Sequence, residues 1–571
     1  MKNMLKNILL LSSIFIISPS LIQAQNNTTR EIILSAMKDE LVRNMEQLQL
    51  ENMQKPFFIS YTVRDFCTME VSATLGSIVT SNENHIRNYN VRVMVGDYKF
   101  TDENFRDASP GSFQNTLLQG TDDLPLEDDY YGIRRALWIA TDRVYKSASE
   151  KYERKKASLE QQELSDEEKE LEDFSKAPVV KYQEPPRKFD MDRSRWEKIA
   201  KEISAMFKYY PDIYSSQVRF FFFQGDGYFI NSEGTEVVQP MTLVYTLITA
   251  ETQAIDGEPL NNLISYIGLI PQDLPPVNSI KQAVKNMAEQ LVTLRIAPVF
   301  EESYTGPVMF EDQAVGELIS QQMFEHAGGL LAFRTPIMAG STPSRRIQSH
   351  SLEDKIGTRI LSRDLTIKAM PTLDTFSDMR LIGSYKVDEE GVKPPQEIIL
   401  VENGILKTLL SNRTPTFKIK ESNGHDRPLI SFGRFASSRL GPSVILAISS
   451  DGKAKSDMKD ELLQLAQEEG LEYAIVLRKV MSLSQPILVY RVYVEDGKEE
   501  LTRSVRLSRP PLSSLRRIYS VSTEQFLYQK GGIPASYIVP QSLIFEELEV
   551  EQEKRVYTPK LPVVPSPLLR N

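Results

Sequence analysis

Three prolines within six residues, Pro271, Pro275 and Pro276, divide the chain into two parts of similar length. Proline fixes its own φ and removes a backbone donor, so a cluster of this kind interrupts helices and strands and is typical of a linker. The chain has 571 residues, whereas a single domain has about 100–200. The sequence therefore predicts two domains, over residues 25–275 and 276–571.

The first part combines helices with antiparallel strands. Thr28-Thr29-Arg30-Glu31 has the spacing of a capping box, and apolar residues follow at helical intervals, which predicts a helix over about 29–50. In Tyr89–Val95 apolar residues alternate with others, the pattern of a strand with one buried face, and Gly96-Asp97 predicts a turn after it. Further elements predicted here are strands at 57–63, 69–79, 217–224, 227–230 and 237–250 and a helix at 193–209.

The second part is richer in strands. These are predicted at 307–310, 365–370, 398–401, 405–411, 443–449, 474–478, 487–494 and 501–507. Helices are predicted at 279–292, 312–327 and 456–469, and Pro562–Leu568 is expected to be an extended tail on the surface. The predicted fold class is α+β, with a helix and antiparallel-sheet domain followed by a strand-rich domain.

A charged helical arm is predicted over about 146–176. Before Lys146 the helical stretch has an apolar face, but after it the residues are almost all charged, as in Asp166-Glu167-Glu168-Lys169-Glu170. A solvated helical hairpin or mobile arm with ion pairs at i,i+4 spacing is favoured over a dedicated binding element.

The N-terminus has the pattern of a secretory signal peptide. Lys2 and Lys6 precede the apolar run Ile8–Ile17, and Ile22-Gln23-Ala24 forms the end of a cleavage site. The run is shorter than the ~20 apolar residues that cross a membrane. Residues 1–24 are therefore predicted to be removed, which would make the mature protein exported, soluble and either periplasmic or extracellular, without a membrane span.

Composition excludes several classes of function. The net charge is −10 and the pI about 5.3, whereas a nucleic-acid partner normally requires a basic surface. Cys67 is the only cysteine, so neither an intramolecular disulfide nor a cysteine site in the second part can form. The sequence has no glycine-rich phosphate loop, GxSxG elbow, HExxH or CxxC. The four histidines, His85, His326, His350 and His425, have no i,i+3 or i,i+4 spacing.

A string of motifs in the second part resembles the TldD/PmbA family. Val387-Asp388-Glu389-Glu390-Gly391-Val392 precedes the hairpin sequence 398–407, in which Asn403-Gly404 suits a two-residue turn with positive φ. Ser422-Asn423-Gly424-His425-Asp426-Arg427 follows, and Asn231-Ser232-Glu233-Gly234-Thr235 in the first part is similar to another turn of the family. The order and spacing of these motifs carry the resemblance, which covers most of residues 30–565.

The resemblance implies a metallopeptidase fold, but the catalytic motif is missing. Catalytic members of the family place HExxxH on a helix early in the C-terminal domain and a cysteine later, so that two histidines hold the metal and the glutamate acts as general base. Ser320, Gln321 and Glu325 stand at the corresponding positions here. Serine and glutamine are poor zinc ligands, and glutamine cannot serve as a base.

Two further sets of residues are predicted from the same resemblance. Asn423, Gly424, His425 and Arg427 are expected to bind substrate, because their loop faces the site in the family. An alternative site for zinc or another ion could be formed by Glu325, His326 and His425 together with the pair Glu389/Glu390, since such ions accept histidine and carboxylate ligands.

Three functions follow as hypotheses. The first is a non-catalytic, PmbA/TldE-like subunit without a cofactor, in a homo- or hetero-oligomer with a catalytic HExxxH paralogue, which completes a channel for unfolded peptides. The second is an active metal-dependent peptidase with a rearranged site that uses His425, with zinc as its cofactor. The third is a peptide-binding or scaffolding protein of the cell envelope.

Overall fold

The computed structural model describes residues 19–106, 120–160, 165–301, 303–325, 328–338, 350–431, 434–449, 451–553, 564 and 566–569. The strands of the first part are β1 (Pro56–Thr74), β2 (Ser77–Val95), β3 (Phe105–Arg106), β4 (Thr121–Asp123), β5 (Lys181–Gln183), β6 (Ser215–Asn231), β7 (Glu236–Gln253) and β8 (Pro259–Gly268). Its helices are α1 (Pro19–Gln47), α2 (Tyr130–Glu160), α3 (Asp166–Glu170) and α4 (Arg193–Ser204), which is extended by a 3-10 turn (Ala205–Tyr209). Helix α5 (Val277–Ile296) begins the second part of the chain but packs on the sheet of the first part.

One large sheet organises the first part. Its order is β4-β2-β1-β6-β7-β5, β8 also pairs with β7, and only the β5–β7 pair is parallel. Helices cover one face: α1 and α2 pack over the end that contains Tyr61 and Val91, and α4 and α5 over the end that contains Phe220. Since side chains alternate between faces, Phe66 lies on the opposite face, where it packs with Ile382 of the second part.

The second part contains two large sheets with a common core, together with smaller two-stranded sheets. Its strands are β9 (Tyr304–Glu311), β10 (Gly328–Gly329), β11 (Ile337–Met338), β12 (His350–Ser351), β13 (Leu365–Ala369), β14 (Thr375–Phe376), β15 (Met379–Arg380), β16 (Ile398–Glu402), β17 (Ile405–Leu406), β18 (Asp426–Ser431), β19 (Arg434–Leu440), β20 (Val444–Ser449), β21 (Tyr473–Ser482), β22 (Gln485–Tyr493), β23 (Glu499–Thr502), β24 (Val505–Leu507), β25 (Ile518–Val521), β26 (Gln525–Lys530), β27 (Ala535–Pro540) and β28 (Ser542–Gln552). The helices are α6 (Gln313–Ser320), α7 (Lys455–Glu468) and α8 (Leu512–Leu515).

Helix α6 lies in the core between these sheets. One sheet has the order β17-β16-β13-β20-β27-β26, and the other the order β23-β22-β21-β9-β28-β24 with β25 paired to β28. Leu318 of α6 is buried together with Ile367 and Tyr537 of the first sheet and Phe310 of the second. Helix α7 covers the outer face of the second sheet, where Leu462 packs on Val476. The mixed α+β class predicted from sequence is confirmed.

The boundaries of several helices and strands differ from the predictions, because they depend on contacts with other parts of the chain that the sequence does not show. Helix α1 begins at Pro19 rather than near residue 29, as proline is tolerated in a first helical turn. The two runs predicted at 57–63 and 69–79 belong to the long strands β1 and β2. The polar residue Arg64 interrupts the apolar pattern of β1, but it pairs with Glu389 across the sheet face. Of the tail predicted at Pro562–Leu568, residues 562, 563 and 565 lie outside the described residues, and residues 566–569 form a turn rather than an extended segment.

The prediction of a solvated helical arm at 146–176 is wrong for Lys155, which is buried, and for residues 171–176, which are not helical. Helix α2 ends at Glu160, and residues 171–176 are not helical. Lys155 is 1% exposed, because its ammonium pairs with Asp173 and donates to the backbone oxygens of Thr101 (2.9 Å) and Glu103 (2.6 Å). A charge pattern alone suggested solvent, but a lysine can be buried when every donor has an acceptor. Residues 161–164 of the arm lie outside the described residues.

Among the residues placed by the structure, no helix combines the length and the apolar character that crossing a membrane requires.

Candidate functional site

Helix α6 changes its winding at the position where the sequence places the degenerate motif. Ser320 ends the α-helix, and Gln321–Glu325 continues as a π-helical turn. A π-helical turn brings residues i and i+5 together, and the Ser320 hydroxyl accordingly donates to Glu325 Oε1 at 2.9 Å. The local geometry thus converges the first and last positions of the motif on one side of the helix.

Glu317, one turn earlier, is the centre of a buried polar cluster. It is 5% exposed and accepts hydrogen bonds from the Tyr528 hydroxyl (2.5 Å), Lys530 Nζ (2.7 Å) and Gln321 Nε2 (2.8 Å). Gln321 Oε1 in turn accepts from the backbone N–H of Leu483 at 3.1 Å. The helix is therefore tied through one carboxylate to strand β26, which carries both Tyr528 and Lys530.

Lys530 joins the two carboxylates of this cluster. Its ammonium pairs with Glu317 at 2.7 Å and also with Glu325. The Tyr537 hydroxyl is a hydrogen-bond partner of Ser320, and burial raises the pKa of Tyr537, so its proton is retained. We call this group the lysine cluster; it consists of Glu317, Ser320, Gln321, Glu325, Tyr528, Lys530 and Tyr537. The ammonium of Lys530 supplies the positive charge that its two carboxylates need.

The loop of Asn423, Gly424 and His425 lies in a different, buried environment. His425 is fully buried, its Nδ1 lies 3.0 Å from two oxygens of Asn423, and its Nε2 lies 3.2 Å from Ser443 Oγ. Because Nδ1 faces only acceptors, it carries the proton, and Nε2 accepts from the serine hydroxyl. Burial, aided by the charge of Arg427, lowers the pKa of His425 to about 3. A metal could bind this ring only by displacing one of these partners.

Arg427 follows on strand β18 and packs against an aromatic ring. It is 4% exposed, and its guanidinium carbon lies 3.6 Å from the centroid of the Tyr385 ring. The hydroxyl of Tyr385 donates to the backbone oxygen of Gly424, which connects Arg427 with the loop. Of the residues predicted to bind substrate, Asn423, Gly424 and His425 are thus engaged within the chain, and Arg427 lies beside a cavity.

The acidic turn at 388–390 meets the first part of the chain. Glu389 pairs with Arg64 at 2.7 Å, and Glu390 pairs with Arg92 at 2.7 Å. Arg64 lies on β1 and Arg92 on β2. Because side chains alternate between the two faces of a sheet, both point from the face turned toward the second part. The predicted contribution of Glu389 and Glu390 to a metal site would require breaking these pairs.

A second buried contact between the two parts was not predicted. Arg413 forms a bidentate pair with Glu233, both bonds at 2.7 Å, and donates to the backbone oxygen of Ser175. Its guanidinium carbon lies 3.8 Å from the ring centroid of Phe174. Glu233 belongs to the Asn231–Thr235 turn that carried part of the resemblance, so the sequence analysis had singled out one side of this contact. Nothing in the sequence indicated that Arg413 would be its partner.

Comparison with known proteins identifies the second part. Residues 303–552 match the family model of the PmbA/TldA metallopeptidase C-terminal domain. A metalloprotease of Methanothermobacter thermautotrophicus is 36% identical over 115 residues, which are 20% of this chain and 22% of that protein. Residues 303–552 therefore belong to the TldD/PmbA family. The matched segment is about a fifth of that relative, so the activity of the relative is not transferred with it.

Solved structures extend the likeness from residues 303–552 to nearly the whole chain. At these low identities the likeness is one of fold alone. TldE from Thermococcus kodakarensis matches with a TM-score of 0.54 and 13% identity, over 90% of this chain and 99% of that one. A putative modulator of DNA gyrase from Thermotoga maritima gives 0.55 and 16%, over 92% and 100%. One from Bacteroides thetaiotaomicron gives 0.58 and 11%, over 92% and 98%.

The residues at the motif positions of this TldD/PmbA protein do not fit zinc. Ser320 and Gln321 offer a hydroxyl and an amide, which are weak zinc ligands. Glu325, which stands at the position of the second histidine, is the only carboxylate among the three motif positions. It is already paired with the ammonium of Lys530, which would repel a dication. In the part of the chain that the structure describes, no group of three or more His, Cys, Asp or Glu side chains is arranged to hold a metal ion. His326 lies outside the described residues.

Proposed function

We propose that this TldD/PmbA protein is exported and acts as a non-catalytic, TldE-like subunit of a peptide-processing metallopeptidase complex. The lysine cluster supports this proposal most directly. An enzyme that uses a metal-bound water needs an open ligand position and a base beside it, whereas here Lys530 takes up the carboxylates of Glu317 and Glu325. In this proposal the helix has a structural role and supplies no metal site.

Association with a catalytic paralogue gives such a subunit a role. In the proposed complex, a chain that retains HExxxH would supply the metal site, and this chain would form part of the wall around unfolded peptides. The signal-peptide pattern of residues 1–24 supports a location of this complex in the periplasm or outside the cell. N-terminal sequencing of the mature protein tests that point: a first residue of Gln25 is expected, and an intact Met1 would contradict export by this route.

Metal content and activity test the non-catalytic role. The purified chain is assayed for bound metal by mass spectrometry and for cleavage of unfolded peptides, alone and mixed with the HExxxH paralogue of the same organism. We expect less than about one tenth of an equivalent of zinc, no chelator-sensitive cleavage by the chain alone, and a stable complex with the paralogue. Stoichiometric zinc together with cleavage that a chelator abolishes would overturn the proposal.

Two controls separate the alternatives. His425→Ala in the same assay addresses the peptidase with a rearranged site: its activity would have to fall if His425 held the metal. A catalytic paralogue with a substituted HExxxH glutamate, mixed with the wild-type chain, shows which subunit cleaves. If the chain binds peptides but forms no complex with the paralogue, the binding or scaffolding function is favoured instead.

A further inference from the structure

A cavity of about 370 Å³ lies between the first sheet and the second part of the chain. On one side are Met241 and Leu243 of β7, and on the other the segment from Asp374 to Glu389 and the start of β18. Clefts between two packed parts of a chain are where small ligands bind most often, in cavities of roughly 300–1,000 Å³. This cavity is separate from the lysine cluster, since none of its lining residues belongs to that cluster.

The charges around the cavity are balanced except at one position. Three of its four cationic side chains already pair with carboxylates, and Glu389 pairs with Arg64. The three pairs are Arg187–Glu184, Arg380–Asp273 and Lys386–Asp374. Asp388, the remaining acid of the lining, accepts backbone N–H groups at both oxygens. Only Arg427 is left with an incompletely used guanidinium.

Arg427 has the properties of an anion-binding residue. Its Nη2 makes two long hydrogen bonds, to the backbone oxygens of Gly383 (3.4 Å) and Pro534 (3.3 Å), while its buried Nε has no hydrogen-bond partner. Among the described residues no carboxylate lies within ion-pair distance of it, although the charges of Glu389, Asp388 and Asp426 act on it from farther away. A buried charge that lacks a directly paired carboxylate is costly, and the ring of Tyr385 holds this one in a fixed plane. Guanidinium in a fixed plane favours bidentate recognition of a carboxylate.

We propose that this cavity binds the C-terminal carboxylate of a short peptide, with Arg427 as the recognition residue and the last side chain against Phe223, Leu243 and Ile382. The peptide as the source of the carboxylate rests on the proposed function, whereas the carboxylate site itself does not. The apolar lining favours an apolar last residue. The role expected of this subunit would then be to hold the end of a peptide while another subunit cleaves it.

Calorimetric titration of the full chain with two matched peptides tests the site. The probes are N-acetyl-alanyl-leucine and its C-terminal amide, which differ only in the negative charge. We expect the acid to bind at least tenfold more tightly than the amide, and this difference to fall to less than twofold in Arg427→Met. Equal affinities of acid and amide for the wild-type chain, or no binding of either at millimolar concentration, would overturn the proposal.

Two further variants guard against a folding artefact, because Arg427 is buried. Met241→Trp, at a partly exposed position of the lining, should fill the cavity and abolish binding of both probes without loss of fold. Arg380→Met removes a guanidinium that already has a carboxylate partner, so it should keep the preference for the acid. N-acetyl-leucine distinguishes the sources: if it binds as tightly as the dipeptide, the peptide is overturned as the ligand. The metal and cleavage assays above do not involve this cavity, so the two proposals can fail separately.

Discussion

Removal of Lys530 is the most informative perturbation of the lysine cluster. In Lys530→Met the Glu317 carboxylate keeps two neutral donors, Tyr528 and Gln321, and loses its cation. Taking one partner from a buried ion pair costs about 3–5 kcal/mol. The side chain of Lys530 is 26% exposed. We therefore expect a loss of local stability at the lower limit of this range, about 3 kcal/mol. The pair with Glu325 adds little, because that carboxylate is 35% exposed.

The assay follows the helix itself. A chain with two large parts is not expected to unfold in one step, so hydrogen exchange of the peptide Gln313–Glu325 is measured by mass spectrometry under native conditions. A loss of about 3 kcal/mol in local opening corresponds to a roughly 150-fold faster exchange. The double variant Lys530→Met with Glu317→Gln removes both charges, so its exchange should be about tenfold slower than that of Lys530→Met alone.

A matched control is Lys407→Met. Lys407 pairs with Glu402 at 2.9 Å, but both side chains are nearly half exposed, so local exchange around 402–407 should change by less than about a factor of two. The reasoning is refuted if Lys530→Met leaves the exchange of Gln313–Glu325 within a factor of about two of the wild type. It is also refuted if Glu317→Gln fails to slow exchange in the double variant.

Four further predictions concern the turn, the contact between the parts, and, for two residues, the dependence of stability on pH. Gly404→Ala should lower the melting temperature by several degrees, with a cost of about 2 kcal/mol, because Gly404 has a φ of +77° and a Cβ would lie 2.5 Å from a backbone oxygen. Arg413→Lys keeps the charge but loses the bidentate pair with Glu233, so limited proteolysis between the two parts should accelerate about tenfold or more. Unchanged proteolysis would contradict this role. His425 has a pKa of about 3, below its unfolded value, so the stability that it contributes is complete above about pH 6.5 and is lost as pH falls toward 3; His425→Gln should flatten that slope in melting temperatures measured against pH. Asp102, whose pKa burial raises to about 7, has the opposite sign: its protonated form favours folding at low pH, and Asp102→Asn should be the more stable protein above about pH 7.

Those parts of the fold that depend on one buried face could be predicted from the sequence. Tyr89–Val95 alternates because its odd positions lie under α1 and α2, and this strand was found correctly. Asn403 and Gly404 both have positive φ, as the predicted hairpin turn requires. By contrast, β26–β28 were not predicted, although every residue of β27 is buried. A strand buried on both faces has no alternation, so its period cannot be recognised.

The chemistry of the candidate site depended on contacts that no sequence window contains. The resemblance predicted that Ser320, Gln321 and Glu325 stand at the positions of the metal ligands and the base. It could not show that Lys530, more than 200 positions away, would reach Glu317 and Glu325, because that contact exists only when β26 packs beside α6. Similarly, a histidine in a glycine-containing loop is compatible with catalysis until its burial is known.

The motifs that carry the resemblance and the residues that decide activity are different sets. Glu389 and Glu390 bind Arg64 and Arg92 across the contact between the parts, and Glu233 does the same with Arg413. These ion pairs hold the two parts of the chain against each other. The resemblance instead assigns activity to a few side chains of one helix, Ser320, Gln321 and Glu325, which make none of these contacts. A TldD/PmbA sequence can therefore be assigned to its fold by the first set, and must be assigned to a catalytic or non-catalytic role by the second.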